Sequence, residues 1–298
     1  MPIRTARRGR PHREPDSVRA VIIDAHHHVW TLARRDYGWL TPDLSVLYRD
    51  FLPRDLEPEL SAHGVVGTVI VQAAPTEAET EFLLDLAHSW PAARAVVGWV
   101  DMASSSGPQR LGHLAQDPLL RGIRPMIQDE ADAAWMLQST VGATFEAIGA
   151  NGLTFDALVR PHQLQTLAQL LDRHRHVPVV IDHGGKPAIA VDSYQLWADD
   201  IRALAQRPQV MCKLSGLLTE AGSRTADADL RPYVEHLLDC FGPERLMWGS
   251  DWPVLTQASD YGDWIAQARR LLQGLSADEQ AQVFGRTAAS FYGIEERS

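Results

Sequence analysis

Eight short apolar runs, rich in β-branched residues and separated by longer amphipathic stretches, constrain this chain more than any other feature. They fall at residues 21–24, 65–71, 95–100, 122–127, 154–159, 178–183, 209–214 and 245–250. Apolar runs of this length bounded by Gly, Pro or Asp read as buried strands. Between them the spacing becomes helical: Phe82, Leu83, Leu86 and Ala87 share a face of 77–89, and Leu164, Leu167, Leu170 and Leu171 a face of 161–174. Segments 196–206 and 230–240 read the same way, and 277–292 reads as a last helix closing the structure from outside. Strands alternating with helices pair in parallel, and eight of them close as a barrel. The expected fold is therefore α/β, a single-domain (β/α)8 TIM barrel over residues 21–298.

An open doubly wound sheet is the competing arrangement, but no Gly-rich phosphate loop follows the first strand. Gly184-Gly185-Lys186 is not such a loop, because the upstream Gly is missing and Pro187 stands where Ser or Thr is needed. No nucleotide or organic cofactor is expected. A net charge of -10 argues against a nucleic-acid partner. Two cysteines, Cys212 and Cys240, make no disulfide framework, which points to the cytoplasm. No apolar run approaches the roughly 20 residues of a membrane span. Residues 1–20 carry six Arg and no apolar core of a signal peptide, and read as a disordered basic tail. The irregular stretch 31–54, rich in Tyr, Trp and Pro, follows the first strand where long loops shape a pocket.

The sharpest local signal is Ile23-Asp24-Ala25-His26-His27-His28-Val29-Trp30. Residues two apart on a strand face the same side, so His26 and His28 project together and His27 points away. The sixth run ends in Asp182-His183-Gly184-Gly185 and the eighth in Gly249-Ser250-Asp251-Trp252-Pro253. In a barrel all strand C-termini meet at one mouth, which brings three histidines and a carboxylate into one pocket.

With these motifs on the page, the chain resembles the amidohydrolase superfamily. The phrases at 23–30, 179–187, 211–216 (MCKLSG) and 249–253 (GSDWP) look like the amidohydrolase-2 group, most like its sugar-lactone hydrolases of the L-fuconolactonase and L-rhamnonolactonase type. The resemblance runs from about residue 21 to 293. It implies a distorted barrel that hydrolyses lactones, with the family's strand-one pair on His26 and His28, its strand-six histidine on His183 and its strand-eight aspartate on Asp251. Close relatives tend to carry His after the strand-four Arg, where this chain has Pro125.

Lactone opening needs a deprotonated water, a polarised carbonyl and a protonated leaving alcohol. Asp251 is the expected general base, with His183, His26 and His28 around the carbonyl, directly or through a metal. Strands four and five offer Arg124 and Asp156 rather than bridging ligands, so a two-metal centre is not expected. Two states stay open: no metal, or one divalent ion such as Zn²⁺ on His26, His28 and Asp251, with His183 as a further ligand. The candidate substrate shell is Arg124, Gln72, Trp30, Asp156, Arg160, Lys213 and Trp252, and Asp156 could instead pair with Arg160. The expected partner is a small lactone of the fucono-, rhamnono- or galactono- class, and a homo-oligomer is left open. The alternatives are a carboxylated muconolactone or pyrone substrate, or a metal-dependent decarboxylase.

Overall fold

The β-branched runs form eight parallel strands, hydrogen-bonded in sequence order: β1 Ile22–His27, β2 Val65–Val71, β3 Ala93–Gly98, β4 Leu120–Ile123, β5 Thr154–Ala157, β6 Val179–Ile181, β7 Val210–Leu214 and β8 Leu246–Trp248. This is the computed structural model of residues 21–132 and 134–295, so the tail expected at 1–20 lies outside the described residues. β8 meets β1 through a parallel bridge between His27 and Trp252. His28 N donates to Trp252 O at 2.7 Å and Asp251 N to His26 O at 2.8 Å. The seam of the barrel is thus stitched by the two motifs that carry His26, His28 and Asp251.

Several strands stop sooner than the apolar runs suggest. The run at 122–127 leaves the sheet after Ile123, because Pro125 has no N–H to give; Arg124 N still reaches Gly98 O at 2.8 Å. The run at 178–183 ends at Ile181, where His183 and Gly184 take φ of 54° and 61° and turn the chain across the rim. β1 instead runs on to His27, beyond the expected end at residue 24.

Ile23, Ala25, Val69, Val71, Ala95, Val97, Val180 and Met247 fill the lower interior together with Ala288 and Tyr292. The larger core lies between strands and helices. Helix Glu77–Ser89 forms where expected, its first turn capped by Thr76 Oγ accepting from Glu79 N. Helix Leu164–Arg173 buries Leu164, Leu167, Leu170 and Leu171, each such burial being worth about 1.5–3 kcal/mol.

The last helix is not continuous. Ala277–Ala281 and Thr287–Tyr292 are joined by a π turn at Gln282–Arg286. A Cβ on Gly285 would lie 2.0 Å from Val21 O, so only glycine permits this backbone approach to the start of β1. The segment expected to close the barrel from outside also plugs its floor, since Tyr292 points into the interior and donates to Asp156 at 2.7 Å. Cys212 and Cys240 are free thiols. No helix of the described residues is long and apolar enough to cross a membrane.

Candidate active site

Strict alternation from Ile23 and Ala25 would turn His27 inward. A register irregularity between Asp24 and His27 shifts the phase, and His26 and His28 face in instead, their Nε2 atoms 3.2 Å apart. His27 turns out against the edge of Trp90. Asp24 holds this bend, accepting from the backbone N of His26 (3.2 Å) and of Ser250 (2.8 Å) and from Tyr261 Oη (3.1 Å). One buried carboxylate therefore ties the β1 motif to the β8 motif.

Asp251 and His183 both stand at positive φ, 60° and 54°. Such backbone costs of order 1–3 kcal/mol and persists where the surroundings over-determine it. His183 Nδ1 is paired with Ser215 Oγ at 2.9 Å, and Gly216 leaves room for the ring, since a Cβ there would lie 2.5 Å from it. Asp251 Oδ1 then lies 3.3 Å from His28 Nε2, 3.7 Å from His26 Nε2 and 3.9 Å from His183 Nε2.

Charge follows from these contacts. Burial alone would raise the Asp251 carboxyl, but the imidazoles, His183 foremost, outweigh it and hold the group well below the usual carboxylate range. Burial pulls His183 down to about 4. Burial and then the Lys213 ammonium keep His26 well below the usual imidazole range. At neutral pH the centre is an ionised carboxylate facing uncharged His26 and His183.

Beneath it lies a second tier. Lys213 Nζ is 2.6 Å from Asp156 Oδ2, 3.0 Å from Asp182 Oδ1 and 3.1 Å from His26 Nδ1. Arg124 Nη1 stands 3.5 Å from Asp182 Oδ2 and from His26 Nε2. Gln72 clasps Arg124, donating to its carbonyl at 2.6 Å while its own carbonyl accepts from Arg124 Nη2.

Above opens a cavity of about 170 Å³, walled by His28, Trp39, Ala73, Arg124, Met126, Gln128, Asp129, Leu158, His183, Lys186, Thr219, Asp251 and Val254. The structure thus brings His26, His28, His183, Asp251 and Arg124 together. Gln72, Asp156 and Lys213 sit below the cavity, and Asp156 pairs with Lys213 and Tyr292, not with Arg160. Arg160 is exposed, with Nε 3.3 Å from Gln128 O. Trp30 and Trp252 lie outside the wall, each packed edge-on with Phe51. Sequence reasoning missed Asp182, Lys186 and Trp39. Asp182 lies two residues beyond the inward Val180, which was a usable signal; Trp39 stands in the 31–54 loop and donates to Ala73 O at 2.7 Å.

The donor set suits one divalent ion. His26 Nε2, His28 Nε2 and Asp251 Oδ1 are mutually 3.2, 3.3 and 3.7 Å apart. Tetrahedral ligands at Zn²⁺ bond lengths stand about 3.3–3.6 Å from one another. His28 Nδ1 donates to Val71 O at 2.8 Å, which leaves a lone pair on Nε2. His26, Asp182 and His183 form a second, overlapping group.

Comparison with known proteins places the chain in a family. An L-fucono-1,5-lactonase of Burkholderia ambifaria is 45% identical over 280 residues, 93% of this chain and 97% of its own. An L-fucono-1,5-lactonase of Burkholderia multivorans is 38% identical over 289 residues, 93% and 97% of the two chains. A crystal structure of an amidohydrolase from Burkholderia multivorans with bound zinc superposes with a TM-score of 0.87 at 37% identity, covering 93% of this chain and all of that one. The amidohydrolase family model matches residues 23–294, and with the barrel seam and the histidine–aspartate centre in place, this chain belongs to the amidohydrolase family.

Proposed function

We propose that this protein is a lactone hydrolase that opens a sugar-acid lactone of the fucono-, rhamnono- or galactono- class to the free aldonic acid. The carrying observation is the convergence of three imidazoles on Oδ1 of an ionised Asp251 at the base of a cavity. The similarity to two L-fucono-1,5-lactonases over nearly the whole chain supports the same substrate class.

All three imidazole contacts fall on Oδ1, which leaves Asp251 Oδ2 to take a proton from the attacking water. The same carboxyl can then return that proton to the departing ring oxygen. His183, beside Asp251 in the wall, donates to the developing oxyanion, its ring fixed by Ser215. Arg124 carries a planar donor fork held by Gln72, and its place in the wall suits a ring hydroxyl or the carbonyl. His26, His28 and Asp251 would hold a divalent ion. When bound, such an ion supplies Lewis-acid polarisation of the substrate carbonyl. Trp39, Met126 and Leu158 give the cavity apolar walls that exclude bulk water from the reacting bond.

The test is a pH-indicator assay against a panel of aldonolactones, with and without chelator. Acid release from at least one sugar lactone, lost in Asp251→Asn, is the expected result. A protein that releases acid from none of them is not this enzyme.

A further inference from the structure

Two cationic side chains of the described residues wall the cavity beside its imidazoles, and each already faces a carboxylate. Arg124 lies against Asp182, 3.5 Å away and wholly buried. Lys186, on the positive-φ turn after β6, places Nζ 2.8 Å from Glu220 Oε1. Glu220 is outside the wall. It ends the short helix Leu217–Glu220, which starts at Gly216, the residue that makes room for the His183 ring. The loops after β6 and β7 are thereby tied together over the cavity. The lysine and glutamate side chains are 17% and 23% exposed, so water screens this pair only in part.

The remaining charged wall groups, Asp129 and Asp251, are acidic. Outside the His26–His28–Asp251 centre, where a bound ion would change the balance, a substrate carboxylate meets no unmatched cation among the wall groups and the like charge of Asp129. A neutral polyhydroxylated ring meets no such penalty. Lys186 has three N–H donors and gives one to Glu220, which leaves others for hydroxyls.

We propose that Glu220 is a specificity-determining residue: by neutralising Lys186 it restricts the cavity to uncharged lactones. This rests on the lactone hydrolase reading above. Specificity is a difference of affinities, and the repulsive element matters as much as the attractive one.

The experiment compares kcat/KM for a neutral aldono-1,5-lactone and for the monolactone of an aldaric acid, which carries a free carboxylate on the ring substituent. The unmodified protein prefers the neutral lactone. Glu220→Gln shifts the ratio toward the carboxylated lactone by roughly tenfold or more, the scale of one charge-assisted hydrogen bond. In the Glu220→Gln/Lys186→Met double variant the ratio returns to its parental value, which a merely structural role for Glu220 would not produce. An unchanged ratio in a folded Glu220→Gln, or a parental preference for the carboxylated lactone, overturns the proposal. Should the variants not fold, competition in the unmodified protein decides: the carboxylated lactone inhibits roughly tenfold more weakly than the neutral one, and equal or stronger inhibition overturns the idea. If neither lactone is hydrolysed, the enzymatic reading falls. Calorimetric binding of the same two lactones then still reads the charge rule, and tighter binding of the carboxylated one refutes it.

Discussion

The two ends of the barrel interior are built from the same eight strands and from opposite chemistry. At the floor, Ile23, Ala25, Val69 and Val97 pack against Ala288 and Tyr292. Toward the other end of the strands and just past their ends stand His26, Asp182, Lys213 and Asp251, all buried. The floor gains from removing apolar surface from water. The rim keeps ionised groups away from water and holds His183 and Asp251 at positive φ, both of which subtract from stability. The contrast teaches that the floor stabilises the molecule while the rim holds the groups of the proposed chemistry, with Lys213 as the joint between them.

The largest separation of the two ends is expected from Asp251→Asn. Lactone turnover falls by about 10²–10⁴-fold, while the thermal midpoint falls only modestly: the imidazoles lose the ionised carboxylate they favour, but Asn fills the same space. A lowered midpoint with turnover intact would erase the distinction. At the joint, Lys213→Met leaves Asp156 and Asp182 without their shared counter-charge. Urea unfolding should register a loss of about 3–5 kcal/mol; a loss below about 1 kcal/mol would mean that the carboxylates are not both ionised in the folded protein.

A pH test sharpens the rim side. Glu79 is buried and accepts from Ala74 N (2.6 Å) and Ala73 N (3.0 Å) behind the cavity wall. Burial pushes its carboxyl from 4.5 up to about 7. The folded protein holds this proton more tightly than the unfolded chain, so stability is greatest below pH 4.5 and declines as pH rises toward about 7. The decline attributable to this group is about 3 kcal/mol. Unfolding free energies measured at about pH 5 and pH 8 should differ in that direction, and Glu79→Gln should flatten the difference; parallel curves would remove Glu79 from the account. The smallest effect belongs to the floor. Tyr292→Phe removes the hydroxyl that Asp156 accepts and should cost about 1–2 kcal/mol, with turnover within about twofold of the parent. A turnover loss of tenfold or more would show that the floor takes part in the site.

Much of this was readable from local pattern. The eight strands and the faces of helices such as Leu164–Arg173 follow from apolar period. The histidine pair, His183 and Asp251 stand out because they close strand-like runs whose ends share a mouth. Strand ends were less legible, because Pro125 and the positive φ of His183 act through single residues. Trp30 and Trp252 flank the two motifs in sequence yet pack on Phe51 away from the cavity, while Trp39, half-buried in an irregular loop, reaches it.

The sequence by itself determined the barrel and the identity of the groups at its mouth, since side-chain period and residue chemistry are local properties. Tertiary structure alone decided which partners those groups face. The bend that turns His26 and His28 inward, the seam from Asp24 to Ser250, and the pairing of Lys213 with Asp182 and of Lys186 with Glu220 join residues from different strands and loops. Charge balance in a buried site is set by distances that exist only after closure, and no local spacing encodes them.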